Sequence, residues 1–514
     1  MILRRKTRDA LALLLFVLAA ANAAAADALL LRYAPDDDVA QLLLSTSGAT
    51  LVAQDDAHRL LWRYSVDAHA FGAGDTPGAG PCHGAVELTL LHDDLDHDGR
   101  IDGHSDGQSG ETARLYISSS WSQASPAGST LTALDVSRPL APRLLWVLDA
   151  RALPDLGLLS AAVTPARIRV GASNSDARHH VLVFGAGLPL QSGGTSGRRL
   201  YIVDALDGRL LWSAAADGAD QRFAAMQAAF AGGVTALDLD GDDYTDRLYV
   251  GDLGSSLWRF DVWQGQVARS LLTGGVLAAL ANAAVPTPRG FRAAPDVALM
   301  TRGAATVSSS PAALVADPAW FTIGIGTQAW PDAGTVTDNW YFLVRDRQPF
   351  TAWTQARYDE HTPIRMTDLA LVGTAAAETA DAAAGLRIAL GSGQVAAQAT
   401  TAARVAFYTV VESGAADERF CTTPPPAATP VVAVHAIDAD TGESAFDING
   451  DGRRDSADRA QSAAGARPRD SVVVSAGPAA TSADTICRVG TTTLAACIRL
   501  PPLKATYWRR EDAE

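Results

Sequence analysis

Apolar and polar residues alternate along this chain in short runs that return several times. Each run leads to an aspartate and a turn, and most copies include a tryptophan in the strand that follows. The copies occupy residues 50–62, 131–146, 200–212, 257–261 and 434–442. Alternation with a period of two predicts half-buried strands, and Asp with Gly or Pro predicts turns, so each copy is predicted to be a β-hairpin.

Hairpins that recur along one chain are typical of radial repetition, in which small sheets pack face to face. We therefore predict an all-β fold, a modified β-propeller with loop insertions; a pair of β-sandwiches is the competing fold. A short helix is predicted only at residues 221–231. Insertions are predicted at residues 67–81, 374–393, 421–430 and 455–484, which are rich in small residues and proline. No shift in composition divides residues 27–514, so they are predicted to form one domain.

The first 26 residues have the pattern of an export signal. A basic start precedes an apolar run at residues 10–21, and small residues follow up to position 26. The apolar run is shorter than the roughly 20 residues that span a bilayer, so we predict cleavage and export, with a retained membrane anchor as the alternative. No later stretch predicts a stable membrane span.

Charge and lysine content narrow the possible functions. Acidic residues outnumber basic ones by 57 to 42, which disfavours a nucleic-acid partner, because such partners select basic surfaces. The only lysines are Lys6 and Lys504. Phosphate loops and Schiff bases that need a lysine are therefore excluded from the body of the chain.

Four cysteines suggest two disulfides in an oxidising compartment. Cys487 and Cys497 are close in sequence and form the favoured pair. Cys82 and Cys421 would then pair by elimination, and four separate thiols are the alternative. None of the four has the spacing of a zinc site.

Three acidic segments place oxygen-bearing residues at alternate positions, as calcium-binding loops do. Ca²⁺ takes about 6–8 oxygen ligands, and carboxylates crowded this closely repel one another without a cation. Positions one, three, five and nine would offer side chains, and position seven its carbonyl. The predicted ligands are Asp94, Asp96, Asp98, Arg100 and Asp102 in the first loop; Asp238, Asp240, Asp242, Tyr244 and Asp246 in the second; and Asp447, Asn449, Asp451, Arg453 and Asp455 in the third.

These segments fit EF-hands poorly. An EF-hand closes its ligand shell with a Glu at position twelve, whereas here that position holds Ser105, Tyr249 and Asp458, so only the third loop comes close. Alternating residues follow the second loop, which indicates a site between two strands. Asp243 also stands where the pattern prefers Gly. Ion-free Asp-Gly surface turns are the alternative interpretation.

Residues 180–262 resemble the C-terminal propeller of the PilC/PilY group of type IV pilus biogenesis proteins. The resemblance is carried by residues 181–187, 200–208 and above all 237–261, where the second acidic loop runs directly into a Tyr, Gly-Asp and Trp-Arg-Phe-Asp hairpin. It is weaker at residues 134–139, 434–442, 446–452 and 508–510.

The resemblance implies a propeller of about seven blades, with Ca²⁺ held by Asp238, Asp240, Asp242, the carbonyl of Tyr244 and Asp246. It implies no enzymatic activity, but a role in pilus extension against retraction with calcium occupancy as the switch, and in surface adhesion. The implied partners are pilus components such as minor pilins, and a host or surface ligand. The implied location is the periplasm, the outer-membrane surface or the pilus.

Two other functions use similar sequence features. Quinone-dependent (PQQ-type) dehydrogenases also have propellers with Asp, Thr-Gly and Trp hairpins, but this chain has few and irregular repeats and no adjacent cysteine pair. Cell-surface propellers with integrin-like calcium loops carry such loops in successive blades, whereas the three loops here are widely separated.

Overall fold

The structure is a computed structural model of the 514-residue chain. It describes residues 28–33, 39–47, 50–66, 68–72, 83–94, 99–101, 111–121, 129–171, 180–190, 193–281, 289–301, 319–329, 338–373, 384–412, 431–463, 466, 469–476 and 485–498. Residues 1–26, the predicted export signal, lie outside the described residues.

Seven sheets follow one another along the chain and form the blades of a β-propeller. Most neighbouring strands within a blade are antiparallel and consecutive in sequence, as expected for blades built from hairpins. The first blade contains β1 (Ala28–Arg32), β2 (Gln41–Ser47), β3 (Thr50–Gln54), β4 (Leu60–Ser65) and β5 (Ala70–Gly72). The second contains β6 (His83–Asp93), β7 (Thr112–Trp121), β8 (Thr130–Asp135) and β9 (Arg143–Leu148). The third contains β10 (Thr164–Ala166), β11 (Val181–Gly185), β12 (Leu200–Asp204), β13 (Leu210–Ala215) and β14 (Gln221–Arg222).

A strand from within the fifth blade's part of the chain joins the fourth blade. The fourth contains β15 (Val234–Leu237), β16 (Arg247–Gly251), β17 (Ser256–Val262), β18 (Leu272–Ala279) and β23 (Ile364–Arg365). The fifth contains β19 (Arg289–Phe291), β20 (Asp296–Thr301), β21 (Ala319–Ala329), β22 (Asn339–Asp346), β24 (Ala370–Leu371) and β25 (Gly385–Gly391). The chain leaves β22, forms helix α1 (Gln355–Glu360), and pairs β23 in parallel with β18 before it returns.

The seventh blade has the fewest strands among the described residues. The sixth contains β26 (Gln394–Val395), β27 (Thr400–Ala402), β28 (Val405–Val411), β29 (Val432–Asp438) and β30 (Ala460–Ser462). The seventh contains β31 (Val472–Ala476), β32 (Thr485–Val489) and β33 (Thr492–Thr493). Single-turn 3₁₀ helices cover Ala268–Ser270, Met366–Asp368 and Ser456–Asp458.

In three of the recurring segments the aspartate folds the hairpin turn locally. Oδ1 of Asp204 accepts the backbone N–H groups of Leu206 (2.8 Å) and Asp207 (3.2 Å). Asp55 and Asp438 accept backbone N–H groups of their own turns in the same way. The Asp side chain thus supplies hydrogen bonds that the turn backbone cannot make for itself, which explains why the residue recurs.

Two of the recurring tryptophans connect one blade to the next. Trp62 Nε1 donates to the carbonyl of Pro139 in the turn of the second blade (2.8 Å). Trp146 Nε1 donates to the carbonyl of Leu206 in the turn of the third blade (3.1 Å). The Asp and the Trp of the sequence pattern therefore act together, because one shapes a turn and the other fastens the preceding blade to it.

Apolar cores lie between consecutive blades, as the alternation predicts. Each of six buried clusters joins residues of one blade to residues of the next, from the first blade to the seventh. An ion pair between Arg469 and Glu87 links the start of the seventh blade to the second blade. The prediction of a propeller with about seven blades is confirmed, and the sandwich alternative is wrong.

Several local predictions differ from the structure. The predicted helix at residues 221–231 is wrong, because Gln221 and Arg222 form β14 and the following turns bury Met226 and Phe230 in the core. The described helix is α1 instead, which Thr354 caps by accepting the Arg357 N–H. The predicted disulfide between Cys487 and Cys497 is confirmed. Cys82 and Cys421 lie outside the described residues.

The predicted insertions are only partly loops. Residues 374–393 include β25, a strand in the body of the fifth blade, and residues 455–484 include β30 and β31. Residues 67–81 include β5, and residues 421–430 lie outside the described part of the chain. The wrong assignments arose because small residues dilute the alternation at these strands.

Candidate metal centres

The second acidic loop joins β15 to β16 at one end of the fourth blade. Its carboxylates turn inward and accept backbone N–H groups of the loop itself. Asp238 accepts from Gly241 (2.7 Å) and from Asp243 (2.8 Å), and Asp242 accepts from Tyr244 (2.9 Å). The local hydrogen bonds therefore wind the chain around a point that the aspartates face.

Three of the four predicted carboxylates meet at that point. One oxygen each of Asp238, Asp240 and Asp246 lies within 4.8 Å of the other two. Asp246 Oδ2 also accepts the Leu239 N–H (2.6 Å), so the residue that ends the loop is held against its start. Asp242 is not among the converging three, and its Oδ1 accepts the Tyr244 N–H.

The electrostatics of the loop oppose full ionisation. Burial raises the pKa of Asp246, and the charges of Asp240, Asp238 and Asp242 raise it further. The pKa of Asp242 is raised as well, by burial first and then by the charges of Asp240 and Asp238. Within the described part of the chain, no arginine or histidine pairs with the three converging carboxylates. No cationic side chain among the described residues therefore offsets their mutual repulsion.

Asp243 occupies a backbone position that normally selects glycine. Its φ is +70°, in the left-handed region, and the equivalent residues of the other two loops are Gly99 (+77°) and Gly452 (+80°). Asp is one of the few residues that tolerate this conformation. A compensating contact is available, since Asp243 Oδ2 pairs with Arg167 Nη1 at 3.3 Å.

The third acidic loop follows β29 and repeats the hydrogen bonds of the second. Asp447 accepts from Gly450 (2.7 Å) and Gly452 (2.9 Å), and Asp451 accepts from Arg453 (2.8 Å). The side chain of Asn449 accepts the Asp451 N–H at 2.9 Å. Two loops separated by about two hundred residues therefore have the same internal fold.

The closing carboxylate of the third loop is Asp458, which is not in the predicted ligand set. Oxygens of Asp447, Asp451 and Asp458 lie within 4.8 Å of one another. Buried Asp458 accepts the N–H groups of Ile448 (2.9 Å) and Asn449 (3.0 Å), as Asp246 accepts that of Leu239. The backbone hydrogen bond from Asn449 is the main reason that the pKa of Asp458 is lowered.

Asp455 has a different position from the one that the spacing suggests. Its side chain accepts the Ala457 N–H (2.9 Å) and begins the 3₁₀ turn Ser456–Asp458, and that turn carries Asp458 back to the loop. The sequence contained a signal for this arrangement, because Asp458 is the twelfth residue of the loop, where an EF-hand has its closing acid.

The first acidic loop is described only in part. Gly99 donates its N–H to Asp94 Oδ2 (2.9 Å), the bond that the other two loops make at the same positions. Asp94 Oδ1 is buried and has no hydrogen-bond partner among the described residues. Arg100 is described as well, whereas Asp96, Asp98 and Asp102 lie outside the described residues.

A buried charge network anchors the strand that leaves the second loop. Arg247, directly after Asp246, donates from Nε to Asp261 Oδ1 (2.7 Å). Arg259 donates to Asp346 Oδ2 (2.9 Å), and the Tyr249 hydroxyl donates to the same oxygen (2.6 Å). The two arginines and two aspartates are each no more than 2% exposed in their side chains. Sequence reasoning missed this network, because its partners lie in two blades about one hundred residues apart.

The donor set of the second and third loops fits a hard divalent cation such as Ca²⁺. All the converging atoms are carboxylate oxygens, whereas sulfur and imidazole ligands, which softer metals prefer, are absent from both clusters. Asp242 and the Tyr244 carbonyl in the second loop, and Asn449 and the Arg453 carbonyl in the third, are the further oxygens that the loop pattern offers.

Comparison with known proteins identifies the fold. No protein-family model matches the chain, and no curated protein matches it in sequence. Among solved structures, the Pseudomonas aeruginosa PilY1 C-terminal domain matches 89% of this chain over 92% of its own length, with a TM-score of 0.56 and 15% identity. The fold is that of the PilY1 C-terminal domain.

Two dehydrogenases match much less well. Quinohemoprotein alcohol dehydrogenase from Comamonas testosteroni has a TM-score of 0.25 and 12% identity, over 64% of this chain and 59% of its own. A europium-containing methanol dehydrogenase has a TM-score of 0.24 and 10% identity, over 71% of this chain and 73% of its own. Separately, the part of the chain that the structure describes contains no helix long and apolar enough to cross a membrane.

Proposed function

We propose that this protein is a non-enzymatic, exported propeller of the type IV pilus system whose second acidic loop is ordered by Ca²⁺. The observation that carries the proposal is the convergence of Asp238, Asp240 and Asp246 at the end of a PilY1-like blade. In this proposal Asp242 and the carbonyl of Tyr244 complete the oxygen shell. We propose calcium binding for the third loop as well. For the first loop the proposal rests on the hydrogen bond from the Gly99 N–H to Asp94.

Calcium occupancy would act through the strands on either side of the loop. Asp238, Asp240 and Asp246 would hold Ca²⁺, whose charge would offset their repulsion and so stabilise the link between β15 and β16. Without the ion, the aspartates repel one another and the loop loosens, while the buried Arg247 and Asp261 pair keeps β16 in place. The change would therefore stay local, and a partner that contacts the ordered loop would bind only the calcium form.

The proposed partners follow from the pilus system and the proposed location. They are pilus components, with minor pilins first, and a host or surface ligand for adhesion. The periplasm, the outer-membrane surface and the pilus are the compartments in which these contacts would form, and all three are consistent with a confirmed disulfide.

The decisive experiment combines binding with piliation. Asp246→Asn and Asp243→Asn each remove one negative charge from the same loop, but only the first changes a converging carboxylate. We expect Asp246→Asn to weaken calcium binding at the second loop and to fail to restore surface pili in a strain that lacks this protein, whereas Asp243→Asn restores them. Normal piliation by an Asp246→Asn protein whose second loop no longer binds calcium would contradict the calcium switch. Quinone-dependent dye reduction with an alcohol substrate would contradict the non-enzymatic assignment.

A further inference from the structure

A small surface pocket lies beside the second acidic loop, between the β17–β18 connection and the segment before α1. Its volume is about 310 Å³, at the lower end of the range for small-molecule sites. It is lined by Trp263, Gln266, Ser270, Thr273, Thr354 and Gln355. None of these six side chains carries a charge, although the protein has a net charge of −15.

Trp263 presents an aromatic surface to this pocket in a fixed orientation. The residue is 38% exposed, and no other tryptophan among the described residues is exposed to this extent. Its indole Nε1 donates to Thr273 Oγ1 (3.0 Å), and Thr273 in turn donates to the carbonyl of Trp353 (2.5 Å). The polar edge of the ring is therefore satisfied by the protein, and its apolar face is left toward the pocket.

The walls around Trp263 are held rigidly. Gln264, the next residue, donates to the Thr245 carbonyl (2.7 Å) and accepts the Arg169 N–H (2.9 Å). On the opposite wall, both ends of the Gln355 amide bond to the backbone of Gly274 (3.0 and 3.1 Å). A site assembled in advance in this way loses little conformational entropy when a ligand binds.

The lining also indicates the chemistry of the ligand. An exposed aromatic face attracts the weakly positive C–H groups of a flat, partly apolar ring. Neutral amides and hydroxyls around it, from Gln266, Ser270 and Thr354, can both donate and accept hydrogen bonds. An ionic ligand would find no opposite charge among the six lining side chains. We propose that this pocket binds a neutral sugar ring, which stacks on Trp263 and exchanges hydrogen bonds with the Gln266 amide and the neighbouring hydroxyls.

The proposal can be tested with simple glycosides as probes. Saturation-transfer NMR and calorimetry would be run on the whole chain with methyl glucoside, methyl galactoside, N-acetylglucosamine and lactose. We expect millimolar binding of at least one probe, with the strongest transfer to ring C–H protons on one face. Trp263→Ala should weaken that binding by about fivefold or more, because an aromatic contact of this kind contributes about 1 kcal/mol.

Control variants separate a site from a general surface effect. Trp263→Phe retains an aromatic face and should retain most of the binding, and Phe350→Ala removes an exposed aromatic outside the pocket and should leave it unchanged. Gln266→Ala changes an exposed pocket residue without touching the core and should weaken binding, so the test stands even if Trp263→Ala folds poorly. Absence of binding by every probe would overturn the proposal, as would Trp263→Ala and Gln266→Ala proteins that bind the probes as tightly as the unchanged protein. Calcium binding should be normal in Trp263→Ala, which distinguishes failure of this site from failure of the calcium switch.

Discussion

Asp246→Asn is expected to act in opposite directions on calcium affinity and on the stability of the ion-free protein. The amide has the same shape as the carboxylate, and its oxygen can still accept the Leu239 N–H. What changes is one negative charge at a point where three carboxylate oxygens lie within 4.8 Å of one another. In the ion-free state this change removes two of the three repulsive pairs.

Coulomb's law gives the scale of the effect. Two unit charges at 4.8 Å repel by about 0.9 kcal/mol in water and about 3.5 kcal/mol at an effective dielectric constant of 20. Because the loop is partly exposed, we take the lower part of this range. Removing two pairs then stabilises the ion-free protein by about 2 kcal/mol. The loss of attraction to a divalent ion is at least as large, so calcium affinity should fall by about 30-fold or more.

The pH dependence gives an independent check on the same residue. Burial, with help from the neighbouring aspartates, raises the pKa of Asp246 above that of an unfolded chain. A raised pKa means that the folded state holds the proton more tightly, so this contribution to stability is present at low pH and is lost as pH rises through the raised pKa. Ion-free Asp246→Asn protein should lack this contribution.

The assays are terbium luminescence, calorimetry and urea unfolding in a chelator. Tyr244 lies within the loop, so its ring is a suitable donor of excitation energy to bound terbium. Asp243→Asn is the matched control, because Asp243 is exposed and its ion pair with Arg167 is worth at most about 1 kcal/mol. The reasoning would be refuted if Asp243→Asn weakened calcium binding as much as Asp246→Asn, or if Asp246→Asn destabilised the ion-free protein.

Three further predictions concern other parts of the molecule. In the third loop, Asp458→Asn should lower the number of calcium ions bound in calorimetry by one, and Asp455→Asn should not. The opposite result would show that Asp455 is the ligand, as the spacing in the sequence predicts. Burial raises the pKa of Asp296 to about 7, so the free energy of unfolding should decrease from about pH 5 to about pH 8, and Asp296→Asn should flatten that dependence in urea titrations. Tyr249→Phe removes a buried hydrogen bond to Asp346 and should lower the free energy of unfolding by about 1–3 kcal/mol. An unchanged free energy of unfolding would show that this hydrogen bond does not stabilise the fold.

The parts of the fold that were predictable from sequence are those made by local chemistry. The hairpins at residues 50–62 and 200–212 could be found because one Asp folds the turn and alternate apolar residues face a core. The missed elements depend on strand pairings that the alternation of apolar and polar residues does not reveal. Strand β14, mistaken for a helix, pairs in parallel with β13, and β25 joins its blade between β22 and β24, although alanines precede it in sequence. Local patterns do not encode pairings of this kind.

The ligands of the candidate sites were likewise predictable only where local structure determines them. Asp238, Asp240 and Asp246 could be predicted because β16 begins directly after the loop and fixes its last ligand. In the third loop no strand begins at Asp455. A 3₁₀ turn intervenes instead, and the carboxylate that returns to the loop is the one at the end of that turn, Asp458. Spacing alone therefore predicts the start of such a loop, and the element that follows decides where it closes.

The second loop and the sugar pocket share structural elements, so the two proposals are physically linked. The Val262 N–H donates to the carbonyl of Asp246 (2.8 Å), and the Gln264 amide donates to Thr245 (2.7 Å), so the loop supports the hairpin that carries Trp263. Asp261 accepts the backbone N–H of Trp353 on the opposite wall (2.9 Å). An ion that orders the loop would thereby hold the Trp263 wall of the pocket in position, whereas Asp261 holds the opposite wall independently of the ion. Because linkage between two binding equilibria is reciprocal, a sugar that requires the ordered pocket must in turn favour the calcium-bound form.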